Sequence, residues 1–327
     1  QALVTDGSGA LSWSSVATDL DGLSDAKSGG SNFSNSMILG HQTTGTLNNA
    51  DENVGVGIGS LESITSGDRN TAIGKGAMNN NTSGSWNASL GYQSLYTNNT
   101  GSYNTAAGNS SLGLNEGGSS NTALGHRALN SNTTGNLNIA VGRRALYSTT
   151  TSRGNTAIGS YALEDANRTS DVNAYNVGLG YYAGNTGTND ITTGNKNTLL
   201  GASTAASAAA GTNQTVIGYG ASGKGDNTVT IGNGDITLWS AADDGEVDLG
   251  SSSVEFKDLY VDGVAYTDAL GFGTVAMTLP TADGSANQVL KTDGSGALAW
   301  TDVSATTVTI SDNENTSETN ALVFTSG

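Results

Sequence analysis

Few residues in this chain have the type and spacing that chemistry needs. There are two histidines, His41 and His126, and no cysteine, so disulfides and thiol chemistry are excluded. The carboxylate neighbours Glu164-Asp165 and Asp243-Asp244 lie in expected loops, not facing across a cleft as glycoside hydrolysis requires. No Ser-His-Asp set presents itself, and the glycines are spaced for turns, not for a phosphate cradle. Asp and Asn near Gly can bind calcium, yet the Gly-Gly-x-Gly-x-Asp repeat of calcium rolls is absent. The expectation is no catalytic residue, no metal and no cofactor. What stands out is a set of aromatic and basic side chains, Tyr92, His126, Arg127, Arg143, Arg144, Tyr161, Tyr181, Tyr182 and Tyr219, which could stack on sugars or contact a receptor.

Those residues recur at one place in a repeated phrase. Asn70-Thr71-Ala72-Ile73-Gly74 returns as Asn87 to Gly91 (with Leu90), Asn104 to Gly108 and Asn121 to Gly125 (with Leu124). It returns again as Asn138 to Gly142 and Asn155 to Gly159 (with Ile158), each 17 residues after the last. Upstream the phase holds at Asn53 and, more loosely, Ser36; downstream the spacing is 21 to Asn176 and Asn197, 17 to Gln214 and 14 to Thr228. Twelve copies from Ser36 to Thr228 make this a repeat architecture. Counted from the Asn, position five is always Gly, position four aliphatic nearly throughout, and position nine usually Leu or Met. A further Gly stands three residues before most of the Asn positions. The recognition candidates occupy positions six and seven. His41 and His126 share position six five units apart, so they cannot share a metal within one chain.

Turn-forming residues fall every few positions, so no helix of ordinary length fits a unit. One unit buries about two large apolar side chains, at roughly 1.5–3 kcal/mol each. Ordering its backbone costs about 1–2 kcal/mol per residue, so units must stack and share a core. At about 4.8 Å per layer, twelve layers give a rod of roughly 55 Å. The Asn is expected to cap turns or to ladder between coils. Thr at position two, as in Thr71, Thr105 and Thr122, offers an ice-binding ladder as a further reading, but Ala88, Ile139 and Val177 interrupt it.

The composition fits such a coil better than a globule: 47 Gly, one Pro, 6% aromatic and 35% hydrophobic residues among 327. So thin an apolar complement leaves one chain's apolar stripe wet, which favours an oligomer. The net charge of −17 argues against a nucleic-acid partner. From Asp235 onward only Lys257 and Lys291 oppose the carboxylates. No signal segment and no 18-residue apolar run occur, so membrane insertion is not expected.

The phrase resembles the head repeats of trimeric autotransporter adhesins, with their Val-Ala-Ile-Gly core. It is still closer to the Asn-Thr-Ala-Ile-Gly-x-x-Ala-Leu repeats of phage tail fibres. The resemblance covers about 200 of the 327 positions. It implies a left-handed β-roll in an intertwined or side-by-side homotrimer, with apolar positions facing the trimer axis. It also implies a structural shaft of a phage tail fibre or other virion fibre. Its partners would be sister chains, other fibre or tail proteins, and a glycan or protein on the host surface. A bacterial trimeric adhesin at the cell surface is the alternative, and it would need a signal peptide and an anchor.

The expected fold is therefore all-β: an elongated roll of about twelve coils over residues 36–235, flanked by hairpin modules at 1–35 and 273–327, with a short-strand transition at 236–272. The flanks duplicate each other. Gln1 to Trp13 and Gln288 to Trp300 agree at ten of thirteen positions, each with a central Asp-Gly hairpin signal. The segment Leu279 to Gly284 is expected to add a strand before the second copy, Ile236 to Trp239 to form another, and Val303 to Gly327 to begin a further module.

Overall fold

A computed structural model describes residues 2–5, 11–14, 26–29, 32–40, 44–167, 173–240, 253, 256, 258, 260–262, 269–272 and 275–303. Among them every regular element is a strand. The chain divides into two units, 1–240 and 241–327.

The first unit opens on a hairpin, β1 (Ala2–Thr5) and β2 (Leu11–Ser14), in which Leu3 pairs with Trp13. The solenoid follows. Its first strand, β3 (Ala26–Ser28), runs antiparallel to β4 (Met37–Leu39). From β4 every strand is parallel to the next: β5 (Val54–Val56), β6 (Thr71–Ile73), β7 (Ala88–Leu90), β8 (Thr105–Ala107) and β9 (Thr122–Leu124). The series continues through β10 (Ile139–Val141), β11 (Thr156–Ile158), β12 (Val177–Leu179), β13 (Thr198–Leu200), β14 (Thr215–Ile217) and β15 (Val229–Ile231). Register follows the repeat, with Thr71 opposite Ala88 and Ile73 opposite Leu90. The twelve copies are thus twelve stacked strands joined by eleven turns of coil.

Stacking satisfies the backbone around the whole turn, not only in the strands. Leu95 N donates to Ser111 O at 3.0 Å, Asn99 N to Glu116 O at 2.9 Å, and Tyr103 N to Ser85 O at 3.0 Å. The position-five glycines hold φ between +113° and +141° over most of the stack, and a Cβ on Gly74 would stand 2.4 Å from the Gly91 carbonyl oxygen. Only Gly serves there.

Position nine fills the core as expected: Leu61, Met78, Leu95, Leu112, Leu129, Leu146 and Leu163 are fully buried. Each sits in the left-handed region, Leu129 at φ 51°, an unusual backbone for Leu that its burial sustains. Of the two large apolar side chains expected to be buried in each unit, the coil interior takes only the one at position nine. The residue inside is position three (Ala72, Ser89, Ala106, Ala123, Ala140, Ala157), while Ile73, Leu90, Leu124 and Ile158 are 37–55% exposed. Alternation along a three-residue strand puts positions two and four on one face and three on the other. Bulk at position nine decides which faces inward. A Cβ on Gly178, at position three, would meet Leu163 Cγ at 2.7 Å. Where position three enlarges to Leu199 and Val216, position nine shrinks to Ala205 and Ser222.

The asparagines ladder and cap at once. Asn121 takes its backbone N–H to Asn104 Oδ1 at 3.0 Å, and its Nδ2 donates to the same oxygen at 3.2 Å and to Gly135 O at 2.8 Å. Its own Oδ1 accepts from Asn138 N at 3.0 Å and Asn138 Nδ2 at 3.3 Å. Asn70, Asn87 and Asn155 repeat the arrangement. A second buried ladder, not anticipated from sequence, runs at position twelve through Asn81, Asn98, Asn115 and Asn132.

In the second unit β16 (Ala269–Phe272) pairs antiparallel with β17 (Val275–Thr278). The hairpin β18 (Gln288–Thr292) and β19 (Leu298–Asp302) pairs Leu290 with Trp300, the counterpart of Leu3 with Trp13. Leu279 to Gly284 is not the strand anticipated: it passes across the Trp300 ring, whose Nε1 donates to Ala282 O at 2.9 Å. Nor is Ile236 to Trp239 a strand; it leaves the last coil without a ladder partner. Residues 246–250 and 308–324, also expected to hold strands, lie outside the described residues, as does His41.

Candidate functional site

Positions six and seven follow the position-five Gly, where the chain leaves the strand and turns. The turn is sharp: position seven takes a left-handed backbone at Gln93, Arg127, Arg144, Tyr161 and Tyr182. Side chains at both positions therefore splay outward at one edge of the stack, one layer apart.

The structure brings part of the expected set together. The Tyr161 ring stacks on Tyr182, centroids 4.7 Å apart and planes 5° apart, and Tyr181 meets Tyr182 edge-on at 4.4 Å. The Arg143 guanidinium lies 5.3 Å from the Tyr161 centroid, and that of Arg144 lies 4.4 Å from Tyr147. Such contacts fix flat, amphipathic surfaces in place. Tyr92 stands apart, at a smaller recess with Tyr96. His126 and Arg127 are exposed on the layers between, and Tyr219 is 75% exposed beyond the cluster.

Three participants were not expected. Glu164, at position ten, is buried beneath the cluster; its Oε1 lies 2.7 Å from Arg144 Nη2, and its Oε2 accepts from Asn185 Nδ2 at 2.8 Å. Burial raises its carboxyl above the ordinary value, against the pull of Arg144. Partial desolvation, with the Tyr181 side chain, raises the Tyr182 phenol as well. Tyr147 and Asn185 share position ten, and Asn185 lies in the second of the two 21-residue coils, so the signal available was the occupancy of position ten and the change of period. A cleft of about 780 Å³ opens between Arg144, Glu164, Tyr182 and the loop at 186–188.

A second exposed stripe was also missed. Position seventeen holds Arg69, Trp86 and Tyr103 in successive layers: the guanidinium lies 4.5 Å from the Trp86 centroid, and the two rings stack at 6.3 Å with an 11° interplanar angle.

Among the described residues no three His, Cys, Asp or Glu side chains gather as a metal-ligand set, and no helix is long and apolar enough to cross a membrane. Comparison of the chain with models of protein families, with curated proteins and with solved structures returned no match.

Proposed function

We propose that this chain is the structural shaft of a fibre, a homotrimer in a phage tail or other virion fibre, with its aromatic and basic edge turned to the host surface. One observation carries the reading. In seven of the ten layers from Ile73 to Ile231 the solenoid exposes its aliphatic position four at 37–55% of the residue's surface, as at Ile73, Leu90, Leu179, Leu200 and Ile231, while Ala107, Val141 and Ile217 are half-buried. Scattered apolar residues on a surface need no explanation, but residues aligned at one position of successive strands call for a cover. Sister chains carry the same row at the same spacing, so three parallel copies cover one another in register.

Sedimentation equilibrium of the full chain tests this. The expected mass is three times 32.7 kDa, stable on dilution through the micromolar range. A monomer at those concentrations overturns the proposal.

A further inference from the structure

The two recesses on the recognition edge are built from the same positions of the coil. In the larger, Asn185 at position ten donates to the carboxylate of Glu164, position ten of the coil before, at 2.8 Å. In the smaller, of about 190 Å³, Asn79 at position ten donates to the carboxylate of Glu62, position ten of the coil before, at 2.6 Å. Each pair has tyrosine beside it: Tyr182 in the first, Tyr92 and Tyr96 in the second. Each has one cation from position six or seven, Arg144 or Lys75. Between them position ten is Tyr96, Gly113, Asn130 and Tyr147, so the carboxylate and its amide partner recur only where a recess opens. Glu62 and Glu164 are six layers apart, roughly 29 Å along the stack.

The larger recess coincides with the break in the period. The coil from Asn176 to Asn197 spans 21 residues instead of 17. Part of it, at 186–188, forms a wall of the cleft, pinned by Asp190 Oδ1, which accepts from Thr186 N at 2.6 Å and Gly187 N at 2.7 Å. A repeat that only stacked would have no use for this wall.

We propose that the two recesses are subsites for a neutral, hydroxyl-rich saccharide, such as a surface polysaccharide presents at repeated positions; this rests on the reading of this edge as host-facing. A pyranose offers an apolar C–H face and a rim of hydroxyls. Tyr182 and Tyr92 match the first; the carboxylates, the amides and the hydroxyls of Thr186 and Thr188 match the second. Charge selects against an acidic sugar. Arg144 is already compensated by Glu164 at 2.7 Å, and Asp165 adds a second carboxylate to the same cleft. Spacing favours a polymer, because one chain bridging both subsites gains effective concentration.

Binding of the full chain to an array of neutral, amino and acidic oligosaccharides tests the proposal, followed by titration of the best ligand as monomer unit and as polymer. Neutral saccharides are expected to bind, the polymer more tightly than its unit. Tyr182→Ala should weaken binding at least about tenfold, and Tyr182→Phe should keep it within about threefold, because the ring remains. Tyr92→Ala should remove the polymer advantage and lower the number of units bound per chain from two to one. Sedimentation of each variant separates the two proposals: a monomer that still binds neutral saccharide overturns the fibre reading alone. Binding only to acidic saccharides overturns the inference. So do neutral binding indifferent to Tyr182→Ala, failure to bind any saccharide at millimolar concentration, and selection of a polypeptide from a peptide array instead.

Discussion

Asn121 uses all the hydrogen-bonding capacity of its amide on adjacent coils, two donors and two acceptor sites. The second ladder shows what happens where such a series ends. Asn132 Oδ1 is buried without a partner, because position twelve of the next coil is Thr149, whose hydroxyl donates to Ala166 O instead. An Asn there also needs Gly three residues on: a Cβ on Gly135 would lie 2.3 Å from Asn132 Oδ1, and the corresponding residue after Thr149 is Ser152. Thr149→Asn alone should therefore destabilise, whereas Thr149→Asn with Ser152→Gly should extend the ladder and stabilise by about 1 kcal/mol. A double-mutant cycle by chemical denaturation reads the sign reversal. Glu164 makes a second test at this scale. Its folded pKa is raised, so the folded chain takes up the proton first. The stability it adds is full below the unfolded value and is lost as pH rises through the folded value. Glu164→Gln should flatten the dependence of the denaturation midpoint on pH above the ordinary carboxylate value, relative to the parent.

At the level of the strand, the repeat disclosed which positions matter but not which way they face. The fixed Gly, the Asn and the Leu at position nine were legible because each has one physical use: a left-handed turn, an amide ladder, a buried side chain. The facing of position four was not legible, because aliphatic residues at positions four and nine carry the same signal whichever of them points inward. A three-residue strand offers one inward place, and Leu129 and its equivalents have already filled the space it faces, leaving room for Ala123. Two rows escaped for a related reason: the exposed Trp86 and Tyr103 at position seventeen, and the buried Glu164 at position ten, belong to positions that vary in type from coil to coil, and only stacking reveals them as rows. The duplicated hairpin was legible from Asp293-Gly294, and its turn titrates. Asp293 Oδ1 accepts from Ser295 N at 2.8 Å and Ala297 N at 3.0 Å, while Oδ2 accepts from Ser295 Oγ at 2.6 Å. These bonds lower its pKa from 3.8 to about 2. A lowered folded pKa stabilises above the unfolded value, and that support is lost as pH falls through about 2. The Trp300 indole N–H resonance, reporting the bond to Ala282 O, should shift over that interval in the parent. In Asp293→Asn it should not.

Across the whole molecule the question is what an apolar row on a thin coil does when no second layer of its own chain covers it. The interior of most layers takes one small residue from the strand and one Leu or Met from the turn, so a wider apolar face has nowhere to go but outward. Covering it with sister chains removes the row from water without lengthening the coil. Three copies also triple a formal charge of −17, which opposes assembly at low ionic strength. Association should therefore tighten as salt rises from about 10 to 150 mM, the reverse of a complex held by opposite charges. Leu90→Glu with Leu124→Glu places two carboxylates on the row while leaving Ser89 and Ala123, the residues that face inward, untouched. The expected product is a monomer by sedimentation equilibrium that keeps the β-sheet circular dichroism of the parent, since neither substituted side chain supports the coil it belongs to. If the variant remains a trimer, chains meet by some other face. If it loses its β signature together with its mass, the coil cannot form outside the assembly, and folding and trimerisation are one event.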